Sequence, residues 1–130
     1  MPVLFLSLDQ VKAIHEEQIA LHGGDGGIRD EGLLESAVAP PRAMFGGAYL
    51  HPGLADMAAA YLFHITSNHA FVDGNRRTAL VAAYTFLVSN GVDLDISDDE
   101  MEQLVLGVAE GSLRKAAIAS TFRQRMRATR

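Results

Sequence analysis

Apolar residues recur at helical spacing near the start of this chain. Ser7 and Gln10 form a capping-box pattern, which marks the start of a helix. The stripe that follows consists of Val11, Ile14, Gln18, Ile19 and Leu21. These signals predict a first helix over residues 8–22. The Gly-rich run at residues 23–27 then ends it. Such a run can cradle phosphate, but this one follows a helix and lacks a Lys-Ser/Thr pair, so we interpret it as a simple connection.

A short second helix is predicted after this connection. Asp30 is a good N-cap for a helix from residue 31 to about residue 39, where Pro40 and Pro41 stop it. Residues 41–52 then read as a loop or an irregular hairpin. Long loops in a small domain are often functional.

Two central helices are predicted in the middle of the chain. Residues 54–68 and 78–90 are apolar almost all the way round, which is typical of buried helices. Gly91 closes the second one. Between the two helices lies a strongly polar segment, which is unexpected between buried helices unless it has a local role.

Two further helices complete the prediction. Ser97 or Asp98 caps a helix that runs to about Ala109, and Ser112 caps a last one toward Arg127. The pattern predicts a single all-α domain over residues 1–130, with about six helices and at most one small β-hairpin, in the loop before Leu54.

Composition narrows the class of protein. Nearly half of the 130 residues are apolar, and no tract is low in complexity, which favours one globular domain. There is no cysteine, so disulfides and thiolate metal sites are excluded. The N-terminus lacks the basic start of a signal peptide, and the longest apolar stretch, residues 54–65, is too short to span a bilayer. We therefore expect a cytoplasmic protein without a membrane partner.

The charge distribution is uneven. A net charge of −5 argues against direct, sequence-independent binding of nucleic acid. Six of the eleven basic residues nevertheless lie from Arg114 onward, and residues 93–102 are densely acidic. The basic tail is either a solvated helix face or a docking surface for an acidic partner.

The polar segment between the central helices, at residues 69–80, suits phosphate chemistry. A helix N-terminus carries unsatisfied N–H groups and partial positive charge. Gly74 and Asn75 are the residue types that most easily adopt the left-handed conformation, which forms an anion-binding nest. Arg76 and Arg77 add guanidinium groups that match phosphate oxygens in pairs. We expect a polyphosphate here.

The same segment holds an acid and a base. His69 is the natural general base for an attacking hydroxyl, and Asp73 is the one acid available to a nucleotide-bound Mg²⁺. Phe71 is expected to plug the core and hold the loop. This set indicates phosphoryl or nucleotidyl transfer.

Each of these residues also has an ordinary explanation. A single histidine can cap a helix, Asp-Gly-Asn can be a turn, and a pair of arginines can be solvated. Zinc is the rival metal chemistry if His51, His64 and His69 converge. No His-Glu-x-x-His pattern supports it, and His51 and His64 are better interpreted as loop or helix-surface residues.

Residues 69–77, His-Ala-Phe-Val-Asp-Gly-Asn-Arg-Arg, resemble the signature H-x-F-x-[D/E]-G-N-[G/K]-R of the Fic/Doc superfamily. The similarity to death-on-curing (Doc) toxins extends beyond this motif. It includes the Gly-Ile-Arg-Asp-Glu-Gly-Leu-Leu-Glu-Ser run at residues 27–36, the Phe-Gly-Gly at 45–47, the Thr-Ala-Leu at 78–80 and the Asn-Gly at 90–91.

The resemblance implies a role for each motif residue. His69 would activate a target hydroxyl, and Asp73 would hold Mg²⁺. The anion hole for ATP would be lined by Gly74, Asn75, Arg76 and Arg77. The catalytic set would be His69, Asp73, Asn75 and Arg77. Fic enzymes transfer AMP, whereas Doc proteins transfer the terminal phosphate of ATP, with elongation factor Tu as the target and a translation block as the result.

Departures from the motif separate these two branches. Arg76 stands where AMP-transferring proteins have Gly and Doc proteins have Lys, and Leu80 replaces a second Arg that grips the terminal phosphate in Fic proteins. Both favour a Doc-type protein kinase over a protein AMP-transferase. Ala70 replaces the commoner Pro. A catalytically silent binding module is the alternative from a different class.

Two more expectations follow from the resemblance. No inhibitory [S/T]-x-x-x-E-[G/N] motif is present, because Gly27 and Leu106 stand four residues before Glu31 and Glu110. Control is therefore expected from a Phd-like antitoxin, which would also carry the DNA-binding function. Residues 42–49 would form a flap over the target segment, or else an ordinary connector.

Overall fold

The structure is a computed structural model that describes residues 2–128. It is mainly α-helical, with two small antiparallel sheets and a short 3-10 helix at Pro40–Arg42. In chain order the elements are α1 Leu8–His22, α2 Glu31–Val38, β1 Met44–Phe45, β2 Ala48–Tyr49, α3 Leu54–Asn68, α4 Asn75–Ser89, β3 Val92–Leu94, α5 Asp98–Ala109, α6 Lys115–Arg125 and β4 Met126–Ala128. The prediction of an all-α domain of six helices is confirmed, with one more sheet than expected.

The predicted helix starts are confirmed where a side chain caps them. The Ser7 hydroxyl accepts from the Gln10 N–H at 3.1 Å, and the Gln10 side chain accepts from the Ser7 N–H at 2.8 Å. Asp30 caps α2, and Ser97 caps α5. Each such cap satisfies a backbone donor that would otherwise lack a partner.

The buried side of α1 differs from the predicted stripe. Val11 and Gln18 of that stripe are buried, but Leu21 is 66% exposed, and His15, which the stripe did not include, is buried. The stripe therefore turns toward the segment that joins α3 to α4. A polar pair on the inner side of α1 shows that this helix faces more than an apolar core.

Helices α3 and α4 form the centre of the molecule, as their all-round apolar sequences predicted. α3 contacts α2, α4, α5 and α6, and α4 also contacts α1. Small side chains fill the contact surfaces, since Ala58, Ala59, Ala79 and Ala82 are fully buried. Small residues let helix axes approach closely. This close packing fixes both ends of the segment that joins α3 to α4.

The chain's last helix is shorter than predicted. Ser112 does not cap it, because its hydroxyl donates to the Gly107 carbonyl at 3.1 Å. Arg114 is the N-cap, and α6 ends at Arg125. The residues that follow form β4, which pairs with β3 in the register Val92↔Ala128 and Leu94↔Met126. The buried Leu94 anchors this pairing, which the sequence analysis missed.

Three arginines of the basic tail form ion pairs with acidic side chains, and all three pairs stay partly exposed to solvent. Arg123 pairs with Asp56, Arg125 with Glu100, and Arg127 with Asp95. Two of these acids come from the acidic stretch at residues 93–102. The opposite charges of the two segments therefore join α5, α6 and the small sheet. Exposed pairs of this kind each contribute little to stability.

Lys115, another basic residue of this tail, lies between two histidines. Its ammonium donates to the Nε2 atoms of His51 at 3.3 Å and of His64 at 3.0 Å. His51 lies in the loop before α3, as predicted, and His64 lies on α3, where it is half-buried. Burial and the Lys115 charge together lower the pKa of His64 to about 4.

Acid should therefore destabilise the protein through His64. Its pKa is about 4 in the folded protein and 6.5 as the ordinary value. Between these values the unfolded chain binds a proton that the folded protein excludes, so stability falls as pH drops. Solvent screening reduces the effect at this half-buried group, so we expect His64 to account for a loss of roughly 1 kcal/mol between about pH 7 and about pH 4.5.

Urea unfolding at both pH values measures this loss. His64→Gln keeps an acceptor for Lys115 and removes the titration, so its stability should change less with pH than that of the wild type. His22→Gln, at an exposed histidine, is the matched control. An unchanged pH dependence in His64→Gln would contradict the prediction.

Among residues 2–128, no helix is both long enough and apolar enough to cross a membrane.

Candidate active site

The polar segment at residues 69–74 joins α3 to α4. His69 is the C-cap of α3 and has a left-handed backbone, with φ of 50°. Ala70 and Phe71 turn inward and are buried, and Phe71 forms an isolated β-bridge with Ile28. The expected role of Phe71 as a core plug is confirmed. His69, before this buried pair, and Val72 and Asp73, after it, lie at the surface.

The N-terminus of α4 presents unsatisfied donors. Gly74 has φ of 83°, and it precedes a helix without a side-chain cap. The first hydrogen bond into this helix is from Thr78 N–H to Gly74 O, at 3.0 Å. Within residues 2–128, no acceptor pairs with the N–H groups of Gly74, Asn75, Arg76 and Arg77. Four such donors and the helix dipole favour an anion.

Asn75 acts differently from the expectation. Gly74 is left-handed as predicted, but Asn75 is the first residue of α4 and has no positive φ. Its side chain accepts from Phe71 N–H at 3.0 Å and donates to Phe71 O at 2.9 Å. These two bonds close a ring across the segment. Asn75 therefore positions the segment through its side chain and contributes one backbone N–H.

The His69 side chain is exposed and forms no hydrogen bond with the described residues. Its backbone is held by Arg29. The Arg29 Nε donates to the His69 carbonyl at 2.8 Å, and the Arg29 Nη2 donates to the Asn68 carbonyl at 3.4 Å. A cation at a helix C-terminus is favourable. Arg29 was not among the predicted site residues, although it lies within the run at residues 27–36.

Asp73 is held by the Gly-rich run. Its Oδ2 accepts from Asp25 N–H at 2.7 Å, and the next residue back, Val72, donates its N–H to Gly27 O at 3.0 Å. Gly23 does end α1, with φ of 83°, as predicted. Interpreting this run as a simple connection was nevertheless incomplete, because it also supports the motif.

A cavity of about 450 Å³ lies where α1, α4 and α5 meet. Arg76, Arg77 and Leu80 line one wall, Gln18 lines another, and Asp98 and Glu102 line a third. Both arginines are exposed, and neither forms an ion pair with a described residue. The cavity has the size of a small-molecule site. His69 and Asp73 do not line it.

The donor set is compatible with Mg²⁺ only in company with a nucleotide. No group of three metal-ligating side chains exists among the described residues. One oxygen of the exposed Asp73 carboxylate, however, accepts no hydrogen bond from the part of the chain that the structure describes. Mg²⁺ in nucleotide sites commonly takes one or two carboxylates, with phosphate oxygens and water completing the shell. Asp73 fits this arrangement.

The expected hairpin before α3 is confirmed. β1 and β2 pair through Met44↔Tyr49 and Phe45↔Ala48, with left-handed Gly46 and Gly47 at the turn. Phe45 is 79% exposed at its tip. An apolar side chain at an exposed hairpin tip is free to contact a partner.

Comparison with known proteins agrees with this geometry. The model described as the Fic/DOC family matches residues 5–87. The toxin Doc of Mycolicibacterium smegmatis is 47% identical over 104 residues, which cover 78% of this chain and 79% of that protein. The protein kinase doc of Escherichia phage P1 is 31% identical over 119 residues, or 92% of this chain and 93% of that protein. The matched residues include the whole motif at 69–77, and the chain belongs to the Fic/DOC family.

Proposed function

We propose that this protein is a Doc toxin that transfers the terminal phosphate of ATP to a hydroxyl group of a translation factor, elongation factor Tu. The observation that carries the proposal is the row of four N–H groups from Gly74 to Arg77, which have no acceptor among residues 2–128, beside two guanidinium groups that form no ion pair within that range. The relatives support it, because one is named a toxin and the other a protein kinase.

In the proposed reaction, His69 accepts the proton of the attacking hydroxyl. The hydroxyl oxygen forms a bond to the terminal phosphorus, the bond from this phosphorus to the bridging oxygen breaks, and ADP leaves. The exposed His69 imidazole is accessible to a protein substrate, while Arg29 fixes its backbone. A positioned general base contributes about 10²- to 10⁴-fold to the rate of such a reaction.

The phosphates would lie against the N-terminus of α4. The N–H groups of Gly74 to Arg77 donate to phosphate oxygens, and the Arg76 and Arg77 guanidinium groups neutralise charge. Asp73 would hold Mg²⁺, which neutralises phosphate charge when bound. Asn75 keeps the segment closed through its two bonds to Phe71. Each motif residue thus has one role in binding or positioning.

The direction of nucleotide binding depends on Arg76 and Leu80. Both line the cavity, where Arg76 occupies space and Leu80 supplies no charge. An apolar side chain in place of a cation removes a group that would bind the terminal phosphate in an AMP-transferase. We therefore favour phosphate transfer, with AMP transfer as the alternative.

Two labels separate these reactions. Purified protein is incubated with elongation factor Tu and ATP labelled on either the terminal or the innermost phosphate. We expect label on the factor from the terminal phosphate only, at a position that mass spectrometry identifies. Label from the innermost phosphate alone would establish AMP transfer in its place.

We also propose that a Phd-like antitoxin controls the protein. The chain carries no inhibitory motif of its own, and the name of the toxin Doc from M. smegmatis is consistent with such a partner. A disordered antitoxin segment would fold as it binds. The test is whether a neighbouring reading frame encodes a short antitoxin-like protein, and whether co-expression of that protein restores growth to cells that produce this one.

A further inference from the structure

A buried histidine on α1 lies directly beneath the motif. His15 is 1% exposed, and among residues 2–128 it is the only buried side chain of the histidine, lysine, arginine or acidic types. Burying an imidazole is costly unless its polar atoms have partners. A leucine would fill the same helical position without this cost. The ring nitrogens of His15 therefore call for a specific explanation.

The explanation lies in one hydrogen bond. His15 Nε2 is 2.8 Å from the carbonyl oxygen of Asp73. A carbonyl oxygen only accepts, so Nε2 carries the hydrogen. The imidazole also stacks on the Phe71 ring, with centroids 3.7 Å apart and planes 6° apart. The ring is thus fixed in orientation by one residue of the motif while it donates to another.

The peptide unit that His15 holds is the one that leads into the anion site. The carbonyl of Asp73 and the N–H of Gly74 belong to a single planar trans peptide, so they point in opposite directions. Fixing the carbonyl toward α1 therefore fixes the N–H away from α1. This N–H is the first of the four unsatisfied donors. Gly74 itself, with φ of 83°, gives little backbone resistance to rotation of this unit.

We propose that His15 is a positioning residue of the candidate active site, which orients the peptide between Asp73 and Gly74 so that the Gly74 N–H faces the phosphate. The inference rests on the proposed function for the identity of the anion. His15 does not touch the substrate, and it acts through the backbone of the motif. It adds a residue outside the motif to the machinery for phosphate transfer.

Two variants separate the hydrogen bond from the packing. His15→Phe keeps an aromatic ring against Phe71 and removes the donor. His15→Gln loses the stack, but its amide nitrogen reaches about as far as Nε2 and can donate. A purely structural role predicts that His15→Phe, the more apolar variant, is the more stable and the more active. The positioning role predicts the opposite order of activity.

The first measurement is kinetic, on the full chain with its protein substrate. We expect kcat per folded molecule to fall by about 10- to 100-fold in His15→Phe, with KM for ATP changed by less than about threefold. His15→Gln should recover at least half of this loss on a logarithmic scale. Urea unfolding of each variant supplies the folded fraction. Wild-type kcat in His15→Phe would overturn the inference.

The second measurement does not need catalysis. The amide signal of Gly74 is followed by NMR during titration with ATP. It should shift strongly in the wild type and in His15→Gln, and much less in His15→Phe. If the wild type binds ATP but transfers no phosphate, the proposed function fails while this comparison still decides the role of His15. Equal shifts in all three proteins would overturn the inference.

Discussion

Replacing His69 with alanine is expected to abolish toxicity and to lower the rate of phosphate transfer by about 10²- to 10⁴-fold, because it removes the group proposed as the general base for the attacking hydroxyl. The fold should be unaffected, since the His69 side chain is exposed and no described residue bonds to it. Growth of cells that express each protein and initial rates with labelled ATP both measure the effect.

A second variant at His69 is needed that tolerates the left-handed backbone of this residue. Its φ of 50° lies in the left-handed region, where alanine is disfavoured and asparagine is tolerated. His69→Asn removes the base without that strain, so it should be as inactive as His69→Ala and at least as stable. Toxicity equal to that of the parent in either variant would exclude the enzymatic explanation. The protein would then be a catalytically silent binding module.

The helices were predictable because their signals are local. Ser7, Asp30 and Ser97 each cap a helix within three residues of their own position. The apolar character of α3 and α4 likewise shows within each segment. Their boundaries in the structure, Leu54–Asn68 and Asn75–Ser89, agree closely with the sequence pattern. Local hydrogen bonds and burial determine these elements.

The small sheet formed by β3 and β4 was not predictable in the same way. Val92 pairs with Ala128, so the partners lie far apart in sequence. A three-residue strand carries almost no pattern of its own. Residues 126–128 directly follow α6, but they are extended and pair with β3. Tertiary contacts overrode local propensity here.

The candidate site likewise has one part that the local sequence predicts and another part that depends on contacts between distant residues. The motif at residues 69–77 could be identified from the sequence, because its chemistry is concentrated in nine consecutive residues. Its supports could not, since Asp25, Arg29 and His15 reach it across 40 or more positions. A polar residue on the inner side of α1 was the available signal for His15. Recognising it required knowing what α1 packs against.

Gly74→Ala is expected to have a large effect on both stability and activity. The φ of 83° disfavours any side chain, and an added Cβ would lie 3.2 Å from Ile19 Cδ1 and 3.5 Å from the His15 ring. We expect a loss of stability of roughly 2 kcal/mol from backbone strain and crowding together. The contact with Ile19 requires a movement of only a few tenths of an ångström, but the strain at φ of 83° favours rotation of the Gly74 backbone, which would displace its N–H. Small displacements at a reacting site can reduce the rate, by about 100-fold for about 1 Å.

Gly111→Ala is the matched control for this variant. Gly111 has φ of 80°, and an added Cβ there would have nothing within 4 Å. It therefore carries the same backbone strain without the crowding and without any contact to the motif. Its loss of stability should be about 1 kcal/mol, with the rate per folded molecule unchanged. Gly74→Ala could instead lose only as much stability as Gly111→Ala and keep its rate of transfer. Binding of the anion would then not depend on the backbone at the start of α4, and Arg76 and Arg77 alone would have to bind it.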